Sequence, residues 1–250
     1  MDKRAARERE FYNEGLNRAA YDRSLNPAKV WFLEDRRNMA RNVFVSRPNA
    51  RVLEIGSATW FGWIETNGVH IHDLTCINIS ETELESGKHR AEGARNQPDF
   101  LLMDAQDLAF PDGSFDIVFG AAILHHLDFE RSVREIRRVL KPNGIMFFVE
   151  PLAINPVGKV VRFLTPRART PDERPLGIRE FRILNRHFDC HYTYEGLMSV
   201  PAGVLSAVVG ADPKNALTRS AYVLDKALRR IPGLGYLFRH VFIVGTPKPG

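Results

Sequence analysis

The sequence predicts an α/β protein, a seven-stranded and mostly parallel sheet with helices on both faces. Three observations predict it. Short apolar runs, "RVLEIG", "LTCINI", "FLLM", "FDIVFGA" and "GIMFFVE", recur between stretches of helical periodicity. Each run is nearly continuously apolar rather than alternating, the mark of a strand buried on both sides. Strands that alternate with helices in this way build a parallel sheet. The 250 residues suffice for one large domain, and 44% apolar with 26% charged residues is ordinary globular composition.

Residues 1–49 read as an N-terminal helical cap or lid. Within it "PAKVWFLEDRRNMARNVF" opens on Pro27 and places Val30, Leu33, Met39, Val43 and Phe44 near one face. The first strand follows, then a short helix near residues 61–67 and a second strand ending at Asn78. Ser80, with Glu81 and Glu83 behind it, reads as an N-cap whose acids face the positive end of the helix dipole. "FPDGSF" is a Pro-Asp-Gly turn between the third and fourth strands. A basic amphipathic helix, "FERSVREIRRVL", leads to "KPNG", where Asn143 and Gly144 turn the chain into the fifth strand. Residues 50–151 thus form the core. In residues 152–250 a Pro- and Arg-rich, substrate-facing insertion (155–182) precedes two closing strands, "DCHYTY" and "HVFIVGT", with a helix near 217–230 between them.

The formal charge is +5 and the pI near 9.4, with acids and bases interspersed. That modest excess is no nucleic-acid signature, and no nucleic-acid partner is expected; an anionic substrate or a membrane surface suits it as well. Cys76 and Cys190 form neither a metal-ligand pair nor a disulfide framework, which favours a reducing, cytoplasmic setting and no metal. "MDKRAARERE" is charged where a secretory signal needs an apolar run. The longest uncharged stretch, residues 196–211, is shorter than the ~20 residues that span a bilayer.

In an open parallel sheet, ligands bind beyond the carboxyl ends of the strands. Those ends carry Glu54 and Gly56, Asn78, Asp104, Gly120 with Ala121, and Glu150: a rim of three acids and an amide. A dinucleotide turn needs G-x-G-x-x-G with an acid ~20 residues on. Gly56, Ala58 and Phe61 fill that frame and Asn78 stands at the acid's place, so the dinucleotide pattern fails.

A different set of motifs is specific. "VLEIGSATWFGW", "INIS", "LLMDAQDLAFPDGSFDIVFGAAILHHL" and "IRRVLKPNGIMFFVEP" stand in the order and spacing of one family. Over residues 50–151 the chain resembles the class I S-adenosylmethionine-dependent methyltransferases, above all their small-molecule, ubiquinone/menaquinone-biosynthesis branch. The resemblance implies a Rossmann-like fold and S-adenosylmethionine as cofactor. It places Glu54, Gly56, Ser57, Ala58 and Trp60 in the first cofactor loop, Asn78 and Ile79 at the ribose, Asp104 and Ala105 at the adenine, and Ala121 at the sulfonium. Two departures stand out. The family usually has an acid at Asn78, and an amide lacks its charge-assisted strength, a loss of order 1 kcal/mol. Glycines that permit positive φ are missing from the loop: Ala58 partly substitutes, Trp60 does not, and Gly62 stands at a shifted position. The Trp60 indole either stacks on the cofactor or packs with Trp63 under the sheet.

Methyl transfer needs an acceptor aligned ~3 Å from the sulfonium methyl and water excluded. A base helps where the acceptor carries a proton. His125 and His126 follow the fourth strand; neighbours on a helix do not share a face, so one of them, preferably His126, points inward. The alternative is a purely structural helix start. Glu150 is a further candidate, with Tyr12 and Tyr21 in the lid behind it. Lys159, Arg162, Arg167 and Arg169 either bind an anionic group on the acceptor or form a solvated basic loop. Leu217, Tyr222, Leu224, Leu228 and Ile231 form a stripe opposed by Arg219, Lys226, Arg229 and Arg230. Such a helix covers an apolar pocket, lies on an anionic bilayer or simply packs on the surface. Together with "LMSVPAGVLSAVVGA" it favours an apolar or lipid-like acceptor. The expected function is therefore methyl transfer to a small molecule. The alternatives are a cofactor-fold protein without methyl transfer, an RNA or protein methyltransferase, and, remotely, a nicotinamide oxidoreductase.

Overall fold

The computed structural model describes residues 3–14, 30–156, 158–159, 163, 170 and 172–249. Helices α1 (Lys3–Asn13) and α2 (Phe32–Val45) precede the sheet. Then come β1 (Arg51–Ile55), a π turn (Phe61–Glu65), β2 (Asp73–Asn78), α3 (Glu81–Ala91), β3 (Asp99–Leu102) and β4 (Phe115–Ala121). A 3-10 turn (Leu124–His126) leads to α4 (Phe129–Val139) and β5 (Leu140–Pro151), followed by α5 (Ile178–His187) and β6 (Phe188–Glu195). The chain closes with α6 (Ser199–Val208), α7 (Ala216–Leu228) and β7 (His240–Pro247).

The seven strands form one sheet in the order β3-β2-β1-β4-β5-β7-β6. Only β7 runs against its neighbours, pairing antiparallel with β5 and β6. The fold is the expected one, Rossmann-like and mostly parallel, but the edge strand β3 is not buried on both sides: Leu101 and Leu102 are exposed, since an edge strand has a neighbour on one side alone. Alternating side chains assign the two cores. Leu53, Ile55, Val118 and Phe148 pack on one side with Val133 and Ile136 of α4 and Phe181 of α5. Val52, Ile117, Phe119 and Phe147 pack on the other with Phe44 of α2 and with Trp60 and Trp63. Phe147 lies at the centre of the second core, its ring 5.3 Å from those of Phe44 and Phe119 and 5.4 Å from Trp63.

Local signals explain most elements. Ser80 Oγ accepts from the Glu83 N–H and caps α3, and Asp128 accepts from the Arg131 N–H and caps α4. Four differences from the sequence expectation have identifiable causes. Helix α2 begins at Phe32 and buries Phe32, Arg36, Ala40 and Phe44, while Leu33 is exposed. Its rotation is set by Arg36, which pairs with Glu195 of β6 at 2.6 Å in the interior. Strand β5 begins at Leu140 rather than beyond "KPNG", with a register shift opposite Phe115 and Ile117. Gly144 allows this, since a Cβ there would meet the Lys141 carbonyl at 2.9 Å. Helix α5 occupies the end of the segment read as an insertion, its Gly177 N–H donating to Glu180. Finally, the uncharged run near residue 200 contains α6. Pro27, Tyr21, Arg162, Arg167 and Arg169 lie outside the described residues. Among those described, no helix is long and apolar enough to cross a membrane.

Truncating the centre of the aromatic core tests this packing. Phe147→Ala is expected to lower the unfolding free energy by about 3–5 kcal/mol in urea titrations. A loss below about 1 kcal/mol would show that the rings packed around Phe147 contribute little.

Candidate active site

The strand order reverses between β1 and β4, and a cavity opens there at the carboxyl edge. Its floor begins with the turn after β1. Gly56 adopts φ +126° and Ser57 φ +63°, so the left-handed steps fall on these two residues. The positions where further glycines seemed missing need none: Trp60 is right-handed helical (φ −51°) and Gly62 sits in the π turn. The turn is built around Glu54. Its carboxylate accepts from the N–H groups of Ala58 (3.1 Å), Thr59 (2.6 Å) and Trp60 (3.2 Å), and the Cys76 thiol lies 3.3 Å away. Burial pushes the Glu54 carboxyl above its ordinary value, against the opposing pull of those donors.

Asn78 ties this turn to α3. Ser57 Oγ donates to the Glu83 carbonyl, so its lone pairs require a donor, which the Asn78 amide supplies at 3.0 Å. Asn78 Oδ1 in turn accepts from the Ser80 N–H. Gly87 lets α3 come this close, since a Cβ would meet the Ser57 carbonyl at 2.8 Å. Asp104 accepts from the backbone and side chain of Gln106, and Gln106 rather than Asp104 reaches the cavity.

The turn after β4 repeats the arrangement. Ala122 takes φ +53°, and Glu150 at the end of β5 accepts from the N–H groups of Ile123 (3.0 Å) and Leu124 (2.8 Å). Its other oxygen meets His125 Nδ1 at 2.6 Å. Burial pushes the Glu150 carboxyl up to about 7. Helix α1 forms the roof. It is held by Asn13, which accepts from Ser80 Oγ and donates to Glu81, and by Arg4, whose Nε donates to the His126 carbonyl. From this roof Ala5, Glu8 and Tyr12 face the cavity. Tyr12 Oη lies 3.1 Å from His126 Nε2, and Glu8 Oε2 lies 3.2 Å from His126 Nδ1.

The candidates named from sequence therefore divide. Gly56, Ala58, Asn78, Ile79, Ala121 and His126 line the cavity. Glu54 and Glu150 are fully buried and turned into their loops, and Ser57 is buried beside Asn78. Trp60 is fully buried in the second core, its ring 5.5 Å from Phe61, so the packing alternative is the one realised. Ala105 is buried in the first core. Both histidines are buried, because the segment is a 3-10 turn between two packed layers. His126 alone of the two reaches the cavity; His125 turns to Glu150, with Glu173 4.0 Å from its Nε2. Of the basic residues proposed for the acceptor, the described Lys159 is exposed. Sequence reasoning passed over Thr59, Glu83, Gln106 and Glu8. Glu8 carried no signal, lying 118 positions from His126 in a charged run.

Two acids, Glu8 and Glu83, line the cavity, and no lysine or arginine does so among the described residues. His125, His126 and Glu173 bring ligand atoms within 4.8 Å of one another, the spacing of a shared cation. Their ring nitrogens, however, already face Glu150, Glu8 and Tyr12.

The raised Glu150 carboxyl has a measurable sign. A carboxyl that binds its proton more tightly when folded stabilises most below its ordinary value of 4.5, and that contribution is lost as pH rises toward 7. Glu150→Gln keeps an acceptor for Ile123 and Leu124 but does not titrate. Chemical denaturation across that window is expected to show wild-type stability falling relative to the variant; parallel curves would contradict the assignment.

Comparison with known proteins bears on the domain and its fold. Residues 53–148 match the family described as "Methyltransferase domain". The chain is 30% identical over 175 residues to a glycine/sarcosine/dimethylglycine N-methyltransferase of Actinopolyspora halophila, covering 62% of this chain and 30% of that protein. It is 31% identical over 124 residues to the ubiquinone/menaquinone biosynthesis C-methyltransferase UbiE of Vibrio campbellii, covering 46% and 47%. The chain thus spans less than half the length of either relative. Among solved structures, YcgJ from Bacillus subtilis superposes with TM-score 0.56 at 20% identity over 85% of this chain and 97% of that one. Geranyl diphosphate C-methyltransferase from Streptomyces coelicolor, bound to S-adenosyl-L-homocysteine, gives 0.57 at 14% over 84% and 79%. These structural likenesses speak to the fold. Motif order, strand order and family match converge on the same region: residues 53–148 match a methyltransferase domain, and the sheet has the fold of the solved neighbours.

Proposed function

We propose that the protein transfers a methyl group from S-adenosylmethionine to a small-molecule acceptor whose nucleophile carries a proton. One observation carries the reading: a single cavity joins the Gly56 turn to His126, so cofactor and acceptor would share one space. The residues present fit the cofactor. Gly56 leaves its backbone open to a ligand, a Cβ there meeting only Glu54 at 4.0 Å. Two acids with no opposing lysine or arginine on the described wall suit a cationic sulfonium compound. When bound, the cofactor supplies an activated methyl group.

The chain's own residues do the rest. Gly56, Ala58, Asn78 and Ile79 hold the cofactor, and Ala121 leaves room at the methyl-bearing end. Helix α1 closes the roof and excludes water. His126 accepts the acceptor's proton at Nε2, the nitrogen that Tyr12 faces. The Glu8 carboxylate, 3.2 Å from Nδ1, places a negative charge beside the imidazolium that results. Glu54 and Glu150 act one step back, by fixing the two loops. The acidic wall favours an acceptor that is neutral or cationic at its reacting end. The anionic group expected from the basic segment finds no partner among the described cavity residues.

His126→Gln is expected to leave S-adenosylhomocysteine affinity within about twofold while lowering turnover by about 10²–10⁴. Calorimetry reads the first quantity, and release of S-adenosylhomocysteine with acceptor pools reads the second. Unchanged turnover would remove His126 from the chemistry. Binding without turnover in the wild type would favour a cofactor-fold protein that does not transfer methyl.

A further inference from the structure

We propose that the helical pair α6–α7 docks this protein on an anionic lipid surface. The pair is inserted between the antiparallel strands β6 and β7, which need no more than a short turn to connect them. It departs from a defined place. Glu195 at the end of β6 pairs with His240 at the start of β7, and His240 pairs with Pro151 at the end of β5. The insert therefore leaves from the carboxyl edge of the sheet, the edge at which the cavity opens.

The pair is anchored on one side and bare on the other. Asp225 of α7 is buried and accepts from Met198 N (2.7 Å), Ser199 N (3.1 Å) and Ser199 Oγ (2.6 Å), which pins the start of α6. Trp31 donates to Thr218 and Tyr222 donates to Asp35, which fastens α7 to α2 and its leading turn. Away from these contacts the apolar side chains face outward. Val208 is 78% exposed and Val209 68%, at the tip of the pair, with Leu205 exposed beside them. On α7 and just past it, Leu217, Leu224 and Ile231 recur every seven residues, two helical turns, and all three are exposed. A patch of this kind on a soluble fold marks a contact surface.

Charge selects the occupant. Exposed Lys214, Arg219 and Arg230 flank the apolar line. The acids of the pair are Asp225, which is buried, and Asp212, which accepts from the Lys214 N–H. An apolar face bordered by three exposed cations, with Asp212 the one exposed acid of the pair, is complementary to anionic headgroups over acyl chains. A protein partner would instead need acidic side chains around an apolar centre. Docked in this way, the sheet edge with the cavity faces the bilayer, where an apolar acceptor resides. The docking itself does not depend on methyl transfer.

Co-sedimentation with vesicles tests the proposal on the full chain. Wild type is expected to sediment with phosphatidylcholine vesicles containing phosphatidylserine, much less with phosphatidylcholine alone, and less at high salt. Val208→Asp with Val209→Asp is expected to weaken partition by at least about tenfold, and Arg219→Glu with Arg230→Glu to abolish the preference for phosphatidylserine. All four positions are exposed, so thermal melting should match wild type and separate lost docking from lost folding. Failure to sediment with either vesicle would overturn the proposal. So would a concentration-dependent dimer that Val208→Asp with Val209→Asp dissolves in the absence of lipid binding.

Discussion

Two buried carboxylates shape the site, and the rest of the carboxyl edge depends on them. Glu54 and Glu150 stand at the ends of β1 and β5, and each gathers backbone N–H groups from a loop that must leave the sheet abruptly. Hydrogen bonds to an ionised acceptor are roughly twice as strong as neutral ones, and burial strengthens them further. Burial also disfavours the charge, which is why both carboxyls sit above their ordinary range. The arrangement holds because the donors are many and close. It allows Ser57 and Ala122, neither of them glycine, to occupy left-handed backbone.

This constraint accounts for the character of the cavity. The acidic rim legible at the strand ends is largely a frame, turned inward to hold loops, rather than a wall for ligands. The wall is left to small and amide side chains, Ala58, Ala121, Asn78 and Gln106, and to the acids Glu8 and Glu83. Glu8 arrives from α1 and meets His126, so that end of the cavity is complete only when the roof is seated. Docking of the helical pair at the same edge would add a second surface to this geometry, orienting the opening toward apolar acceptors.

Much of the fold was legible because its signals are local. Continuous apolar runs marked the parallel strands, Ser80 marked a helix start, and the Trp60–Trp63 spacing already contained the packing that the structure shows. What escaped depends on distance in sequence. The strand ends located Glu54 and Glu150, but which way a carboxylate turns is decided by where the neighbouring loop's N–H groups lie. Helix α5 was hidden by Pro and Arg upstream of it, though Phe181 and Leu184 carry its apolar spacing. Helix α6 has no polar face, and with Pro201 and Gly203 inside it no periodicity distinguishes it from a loop. The rotation of α2 followed from Arg36, whose partner Glu195 lies 159 positions away.

The most direct test of the central claim, that the Gly56 turn and its cavity hold the cofactor, is calorimetric titration of S-adenosylhomocysteine into wild type and Gly56→Val. At φ +126° a β-branched residue cannot keep the turn in place. The account predicts one-to-one binding by wild type and its loss in a variant that remains folded. Binding that survives Gly56→Val, or a wild type that takes up no ligand, would contradict it.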